Sequence, residues 1–450
     1  MTNITFHGGA NEIGGNKILL EEDKTKLYLD FGESFNFGEE YFYEYLQPRT
    51  VNGLEVMFEF DLMPRTSNLY SEKALQFADM KYEKPDVDGV LISHSHSDHI
   101  GHLKYLDESI PVHMGHGTYR LCEAYAKLFP QFGKLGEHGM KLFKTGDKFN
   151  VKNLEVEPVH VEHSAPASYG YIIKTKTGPL VYTGDFRLHG PTDLTDDFIK
   201  EASKSKPHVM LCEGTRMGRE EDKNYTETEV QGKIEGIIEN AKESVFAYSS
   251  MLNLDRVMSL YNAAKKTSRR LVIDTRLAYI IDSMRDKMKV LPNPLEDDNI
   301  DVYFRMAKSC KFCEKDYSPW AREYMDKMVS YKDLRKSPKE YIMHLGFYRL
   351  IELVYIKPKR GDFIFSQSEH FFEGEENKEQ KQVWENWMEH YNIEFHKAHC
   401  SGHASKDDIE STIKKIKPDV LVPIHTDNAE AFKEIHDNVI IPEKGKRVEV

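Results

Sequence analysis

At 450 residues the chain is long enough for a large core and for two or three domains. Apolar residues make up 40% and charged residues 30%, with both signs interspersed, which excludes a disordered chain. A net charge of −13 excludes broad, sequence-independent coating of nucleic acid and leaves room only for a nucleic-acid substrate held in a local groove.

Met1-Thr-Asn-Ile-Thr-Phe enters a strand-like pattern at once, without the basic start and apolar stretch of a signal peptide. No apolar run approaches the roughly 18 residues of a membrane helix, so a cytoplasmic protein without a membrane partner is expected. Phe6–Gly15 predicts a glycine-rich tight turn, and Lys26–Gly32 a strand ending at Asp30. A polar, aromatic insertion without a readable pattern occupies roughly residues 38–80. Val87–Ile92 reads as a buried strand that runs into Ser93-His-Ser-His-Ser-Asp-His99. Four metal-competent side chains, His94, His96, Asp98 and His99, therefore fall within six positions. In an extended loop His94 and His96 share a face, while Asp98 and His99 fall where the chain turns. A carboxylate among neutral imidazoles suits zinc or another borderline ion rather than calcium.

Thr118–Phe129 has helical spacing, and strands are expected at 154–160, 169–174, 180–183 and 209–212. Two motifs close these strands, His160-Val-Glu-His163 and Thr183-Gly-Asp185-Phe-Arg. From 216 to 394 strands at 244–248, 270–273 and 362–365 alternate with helices at 230–241, 255–266 and 378–390. That alternation predicts a parallel α/β module, within which residues 300–345 resist assignment. Beyond 394 the metal-type residues return as His396, His399, His403 and His425. Ligand-like residues on both sides predict a module, 216–394, inserted into one catalytic domain formed by 1–215 and 395–450.

The chain offers His94, His96 and His163 for one ion, and Asp98, His99 and His425 for another, with Asp185 as the bridge. Two ions sharing a water would lower its pKa towards neutrality and give a hydroxide nucleophile, which predicts hydrolysis without a covalent intermediate. His102, His113, His116, His160 and His189 are expected to be supporting or structural, since the ligand set is already full. No GxSxG elbow or P-loop is present, and thiol chemistry at Cys400 is disfavoured by the metal motif beside it. Five scattered cysteines make no disulfide framework, and Cys310-Lys-Phe-Cys313 is half of a zinc-knuckle spacing without a second pair nearby.

The sequence His94–His99 resembles the HxHxDH signature of the metallo-β-lactamase superfamily, and His163, Asp185, His425 and Asp30 match its remaining motifs. The resemblance implies an αββα sandwich, usually with two zinc ions and with manganese as the alternative. The inserted module resembles that of the β-CASP nucleases, through Leu211-Cys-Glu213-Gly-Thr215, Ser401-Gly-His403-Ala and Pro423-Ile-His425. Gly8–Asn16, His163–Ser168, Thr183–Arg187 and His399–Ala404 are similar to motifs of the ribonuclease J family. This implies a metal-dependent ribonuclease cleaving RNA phosphodiesters by 5′→3′ exonucleolytic and endonucleolytic routes. Asp98 and Asp185 then act in catalysis, His403 is the general acid or phosphate contact, Glu213 orients it, and His399, Ser401 and Gly402 hold phosphate.

Two stretches depart from the family pattern, Ser249–Arg256 and Phe365–Glu375, which in the family frame the substrate path. The chain ends 25 residues after His425, from which absence of the family's extra C-terminal domain is expected, and a monomer or homodimer with it. Two other readings stay open, a metallo-hydrolase of a small ester, lactone or phosphodiester, and a catalytically silent RNA- or protein-binding scaffold.

Overall fold

Alternation of apolar and polar residues turns one face of three antiparallel strands, Thr2–Gly8, Lys17–Glu22 and Thr25–Leu29, into a core through Ile4, Phe6, Ile18, Leu20, Leu27 and Leu29. The computed structural model describes residues 2–43, 45–49, 53–130, 135–218, 225–368 and 377–450. Two compact units emerge. The first is Met1–Leu188, Thr192–Asp222 and Gly402–Val450, and the second is His189–Pro191 and Lys223–Ser401.

The first unit holds two sheets. One has seven strands in the order Arg447–Glu449, Thr2–Gly8, Lys17–Glu22, Thr25–Leu29, Gly89–Leu91, Val112–Gly115, Met140–Phe143. The other has six, in the order Val420–Ile424, Val209–Glu213, Pro179–Tyr182, Ser168–Lys174, Leu154–Val161, Phe149–Val151. Their inner faces share one core, in which Phe6, Leu20 and Leu29 meet Val156, Tyr171, Ile173 and Leu211. Helices Leu194–Ser205 and Lys406–Ile416 cover the second sheet, burying Phe198, Ile199, Ile409 and Ile413 against Val161, Ile172 and Met210. Helix His116–Leu128 packs on the far strands of the first sheet. The rest of that sheet's outer face lies under Leu54, Met57, Phe58, Leu69 and Tyr70. The insertion at 38–80 is thus a covering layer, and the whole is the expected αββα sandwich. Among the described residues of 38–80 the helix Glu55–Glu59 spans barely a turn, which is too short to show a period in the sequence.

The second unit is built on seven parallel strands, in the order Met328–Val329, Ile300–Tyr303, Arg270–Asp274, Tyr341–His344, Ser244–Tyr248, Gly361–Phe365, Ile393–Lys397. Central strands such as Val245-Phe-Ala and Leu271-Val-Ile are buried on both faces, as a parallel sheet between helices requires. Residues 300–345 supply three of the strands, each of four residues or fewer and set among charges, so no run was long enough to read. The edge strand Ile393–Lys397 pairs with Gly361–Phe365, so residues 395–401 go with this unit and not with the closing segment expected to begin at 395. Among the described residues no helix is long and apolar enough to cross a membrane.

His113, one of several histidines outside the ligand motifs whose pKa burial lowers, is expected to contribute to acid sensitivity of the first unit. His113 lies on strand Val112–Gly115, only 9% exposed, its ring stacked on Phe149 with centroids 5.0 Å apart. Burial pushes its pKa down to about 4. The unfolded chain takes up a proton near pH 6.5 and the native ring does not, so stability is full above that pH and declines as the pH falls towards 4. The slope is about 1 kcal/mol per pH unit once the unfolded ring is protonated. With metal chelated, His113→Phe is expected to keep the stack and flatten the fall in urea midpoint between pH 6.5 and 4; an unchanged slope refutes the assignment.

Candidate metal centre

Five strand ends deliver the site. Gly89–Leu91 leads to Ser93 and His94, and the first turn of helix Ser97–Ile100, capped at His96, carries Asp98 and His99. Leu154–Val161 delivers His163, Pro179–Tyr182 delivers Asp185 past Gly184 (φ +55°), Val209–Glu213 ends on Glu213, and Val420–Ile424 delivers His425. Asp30 and His425 both hold a left-handed backbone, at φ 57° and 52°. Such conformations cost a non-glycine residue energy, and both are fixed here by hydrogen bonds to neighbouring loops. Asp30 N–H donates to Leu91 O at 2.8 Å, and His425 N–H to Gly9 O at 2.8 Å.

The donors fall into two groups whose ligand atoms lie within 4.8 Å of one another, His94, His96 and His163 in the first, and Asp98, His99, Asp185 and His425 in the second. In the first group His96 Nδ1 stands 3.0 Å from His94 Nε2 and 3.1 Å from His163 Nε2. Burial holds His94 and His163 well below the usual imidazole pKa and His96 at about 4, so all three are neutral. His163 Nδ1–H is committed to Gly402 O at 2.6 Å, which turns the Nε2 lone pair into the group. Converging lone pairs of this kind fit a cation.

The second group makes the same point with charge. Burial opposes ionisation of His99, but Asp185, Asp98 and Asp30 overrule it and lift its pKa well above the imidazole range. His425 rises to about 9 against its burial, chiefly through Asp185 and then Asp98. Asp98 is held well below the carboxylate range in spite of its burial, first by His99, and Asp185 likewise, first by His425. Protons on the imidazoles stand where a metal's charge would act. Asp98 Oδ1 and Asp185 Oδ1 are buried without hydrogen-bond partners. Buried carboxylates are paired or coordinate metals, and with neutral imidazoles they suit a borderline divalent ion.

Around these ligands sits an orienting network. His99 Nδ1–H donates to Asp30 Oδ2 at 2.7 Å, leaving Nε2 for the group. Asp30 accepts in turn from Ser93 N–H and Oγ, both at 2.7 Å, and from Tyr182 Oη at 2.5 Å. Thr215 Oγ1 lies 2.8 Å from His425 Nδ1 and 3.1 Å from His403 Nδ1. Tyr182 escaped the sequence reading because its strand run reads as core, and nothing in it marks the hydroxyl. Thr215 closes the motif Leu211-Cys-Glu213-Gly-Thr215, but only the fold brings it to both histidines.

His403 Nδ1 is 3.1 Å from Glu213 Oε1 and 3.9 Å from Asp185 Oδ2. It forms further groups with His163 and Asp185, and with Glu213 and His425. Gly402 reaches the centre through its carbonyl. His399 and Ser401 belong to the second unit, where Ser401 O faces His189 Nε2 at 2.8 Å and His399 Nδ1 faces Arg256 at 3.3 Å. Among the described residues no donor group includes Cys310 or Cys313. Residues 369–375 of the departing stretch at 365–375 lie outside the described residues.

Residues 67–241 match the family model described as the Beta-lactamase superfamily domain, and residues 391–442 that of the Zn-dependent metallo-hydrolase RNA specificity domain. The chain belongs to the metallo-β-lactamase superfamily. Within it the chain is of ribonuclease J-like, β-CASP type. Among its curated relatives is ribonuclease J of Helicobacter pylori (strain ATCC 700392 / 26695), 23% identical over 94% of this chain and 55% of the relative. Ribonuclease J of Sinorhizobium meliloti is 28% identical over 45% of this chain and 37% of the relative. The chain spans little more than half the length of the first relative. The crystal structure of a protein of unknown function from Enterococcus faecalis V583 shares the fold, with a TM-score of 0.76 over 99% of both chains at 22% identity.

The orienting network of this metallo-β-lactamase superfamily member gives a direct prediction. Tyr182→Phe removes the hydroxyl that holds Asp30, and through it His99, and is expected to weaken metal binding about 10- to 100-fold. Competition with a chromophoric chelator measures it; affinity within twofold of the parent would refute the role.

Proposed function

We propose that the chain is a cytoplasmic, dizinc ribonuclease that hydrolyses RNA phosphodiesters, with manganese as the alternative metal. The observation that carries this reading is the pair of donor groups, with Asp185 of the second within 4 Å of His94 and His163 of the first, beside His403 held on Glu213. His94, His96 and His163 would hold one ion and Asp98, His99 and His425 the other, with Asp185 as the carboxylate between them. The bound ions supply Lewis acidity at the phosphoryl oxygens and an activated water for in-line attack. Asp30, Thr215 and the Gly402 carbonyl fix the ligand tautomers, as the hydrogen bonds to His99, His425 and His163 support. As water attacks phosphorus and the P–O bond to the departing nucleotide breaks, His403 gives its proton to the leaving oxygen. Glu213, wholly buried and 3.1 Å from His403 Nδ1, holds that imidazole in place. Ser401 Oγ, the Gly402 N–H and His399 hold phosphate on the substrate side.

RNA labelled at its 5′ end and bearing a monophosphate, triphosphate or hydroxyl tests this, with zinc and then manganese added. Labelled mononucleotides assign the 5′→3′ exonucleolytic mode and internal fragments the endonucleolytic one. Chelator is expected to stop both. Intact RNA alongside hydrolysis of a small ester would overturn the reading in favour of a small-molecule hydrolase.

A further inference from the structure

Arg256 is wholly buried in the second unit, where an ionised guanidinium has to be paired and hydrogen-bonded on every side. It lies in the first turn of helix Leu254–Lys266, its N–H capped by Asn253 at 3.1 Å. On one side Nε and Nη2 meet the carboxylate of Glu227 at 3.1–3.2 Å, a forked, charge-assisted pairing. Glu227 opens the neighbouring helix Glu227–Asn240 and is itself buried.

On the other side the guanidinium faces one short piece of backbone. Nη1 donates to Ala398 O at 3.2 Å and to Ser366 Oγ, and lies 3.3 Å from His399 Nδ1. Nη2 lies 3.2 Å from Cys400 Sγ. Ser366 Oγ also donates to Ala398 O. Residues 398–401 belong to no strand or helix, so these bonds do the work that a sheet ladder does elsewhere. The strap continues directly into Gly402, whose carbonyl orients His163, and His403, which sits on Glu213.

We propose that Arg256 is a positioning residue for RNA cleavage, clamping Ala398–Cys400 and so fixing the stretch of chain that leads into Gly402 and His403. The inference rests on the ribonuclease reading and adds to it a residue remote in sequence from every ligand motif. Its chemistry calls for arginine in particular, because only a planar fork serves Glu227 and the strap together, and a lysine ammonium cannot.

Arg256→Lys tests the clamp. Ser366→Ala, which cuts one arm of the network and leaves the buried ion pair intact, guards against misfolding. Hydrogen exchange of peptides spanning 398–403 is read beside metal content, RNA cleavage and hydrolysis of bis(4-nitrophenyl) phosphate. The nitrophenolate departs without a proton, so that substrate needs neither His403 nor a register along RNA. In Arg256→Lys, exchange over 398–403 is expected to rise about tenfold and kcat/KM for RNA to fall at least about tenfold. Metal content and small-diester turnover stay within about twofold of the parent, and Ser366→Ala shows the same pattern more weakly. Unchanged exchange, or equal losses on both substrates, overturns the proposal. If the parent protein leaves RNA intact, it is the ribonuclease reading that falls, and exchange over 398–403 still decides whether the clamp exists.

Discussion

Asp185→Asn is expected to lower RNA hydrolysis by at least about a thousandfold, equivalent to roughly 4 kcal/mol at the transition state. The Asp185 carboxylate lies 3.1 Å from His99, 3.6 Å from His425, 3.7 Å from His94 and 3.9 Å from both His163 and His403. It therefore belongs to the second donor group and stands within 4 Å of two imidazoles of the first. Asparagine keeps the size of the side chain and its place after strand Pro179–Tyr182, but it removes one of the two carboxylate charges, Asp98 and Asp185, that these two groups hold among the described residues. Metal analysis is expected to show loss of at least one ion per chain, with circular dichroism unchanged. Activity within tenfold of the parent at full metal content would remove Asp185 from the bridging role.

Gly32→Ala is expected to do comparable damage from the backbone. Gly32 follows the Asp30 turn, and a Cβ there would collide with the carbonyl of Asp98 and the amide of His99. That approach is close because the two segments are laced together. Phe31 N–H donates to His99 O at 2.9 Å, Glu33 N–H to Ser97 O at 3.0 Å, and Asn16 N–H to Asp98 O at 3.1 Å. Backbone cannot swing aside as a flexible side chain can, so the loop bearing Asp98 and His99 has to move as a piece. The expected cost is about 3 kcal/mol or more in stability, with metal content falling in step with activity. A variant that melts with the parent and binds metal fully would show that the contact is slack.

The two donor groups were legible because their chemistry is local, a histidine- and aspartate-rich loop after a strand, with further donors at later strand ends. Helix Lys378–His390 and strands such as Ser244–Tyr248 were legible because their apolar spacing runs through a whole element. The covering layer at 54–75 was not, because its buried Leu69 and Tyr70 follow no repeat. The strands Ile300–Tyr303 and Met328–Val329 are stabilised by neighbours far along the chain, which a local window does not contain. Tyr182, Thr215 and Arg256 share one reason for their silence. Each acts through polar contacts that only the fold assembles, and its residue type alone does not announce them.

Strand Arg447–Glu449 pairs with Thr2–Gly8, and the first donor group is complete at His163 whereas the second waits for His425. During synthesis the second unit, through Ser401, leaves the ribosome before the first can close. A nascent chain short of His425 carries a half-made centre.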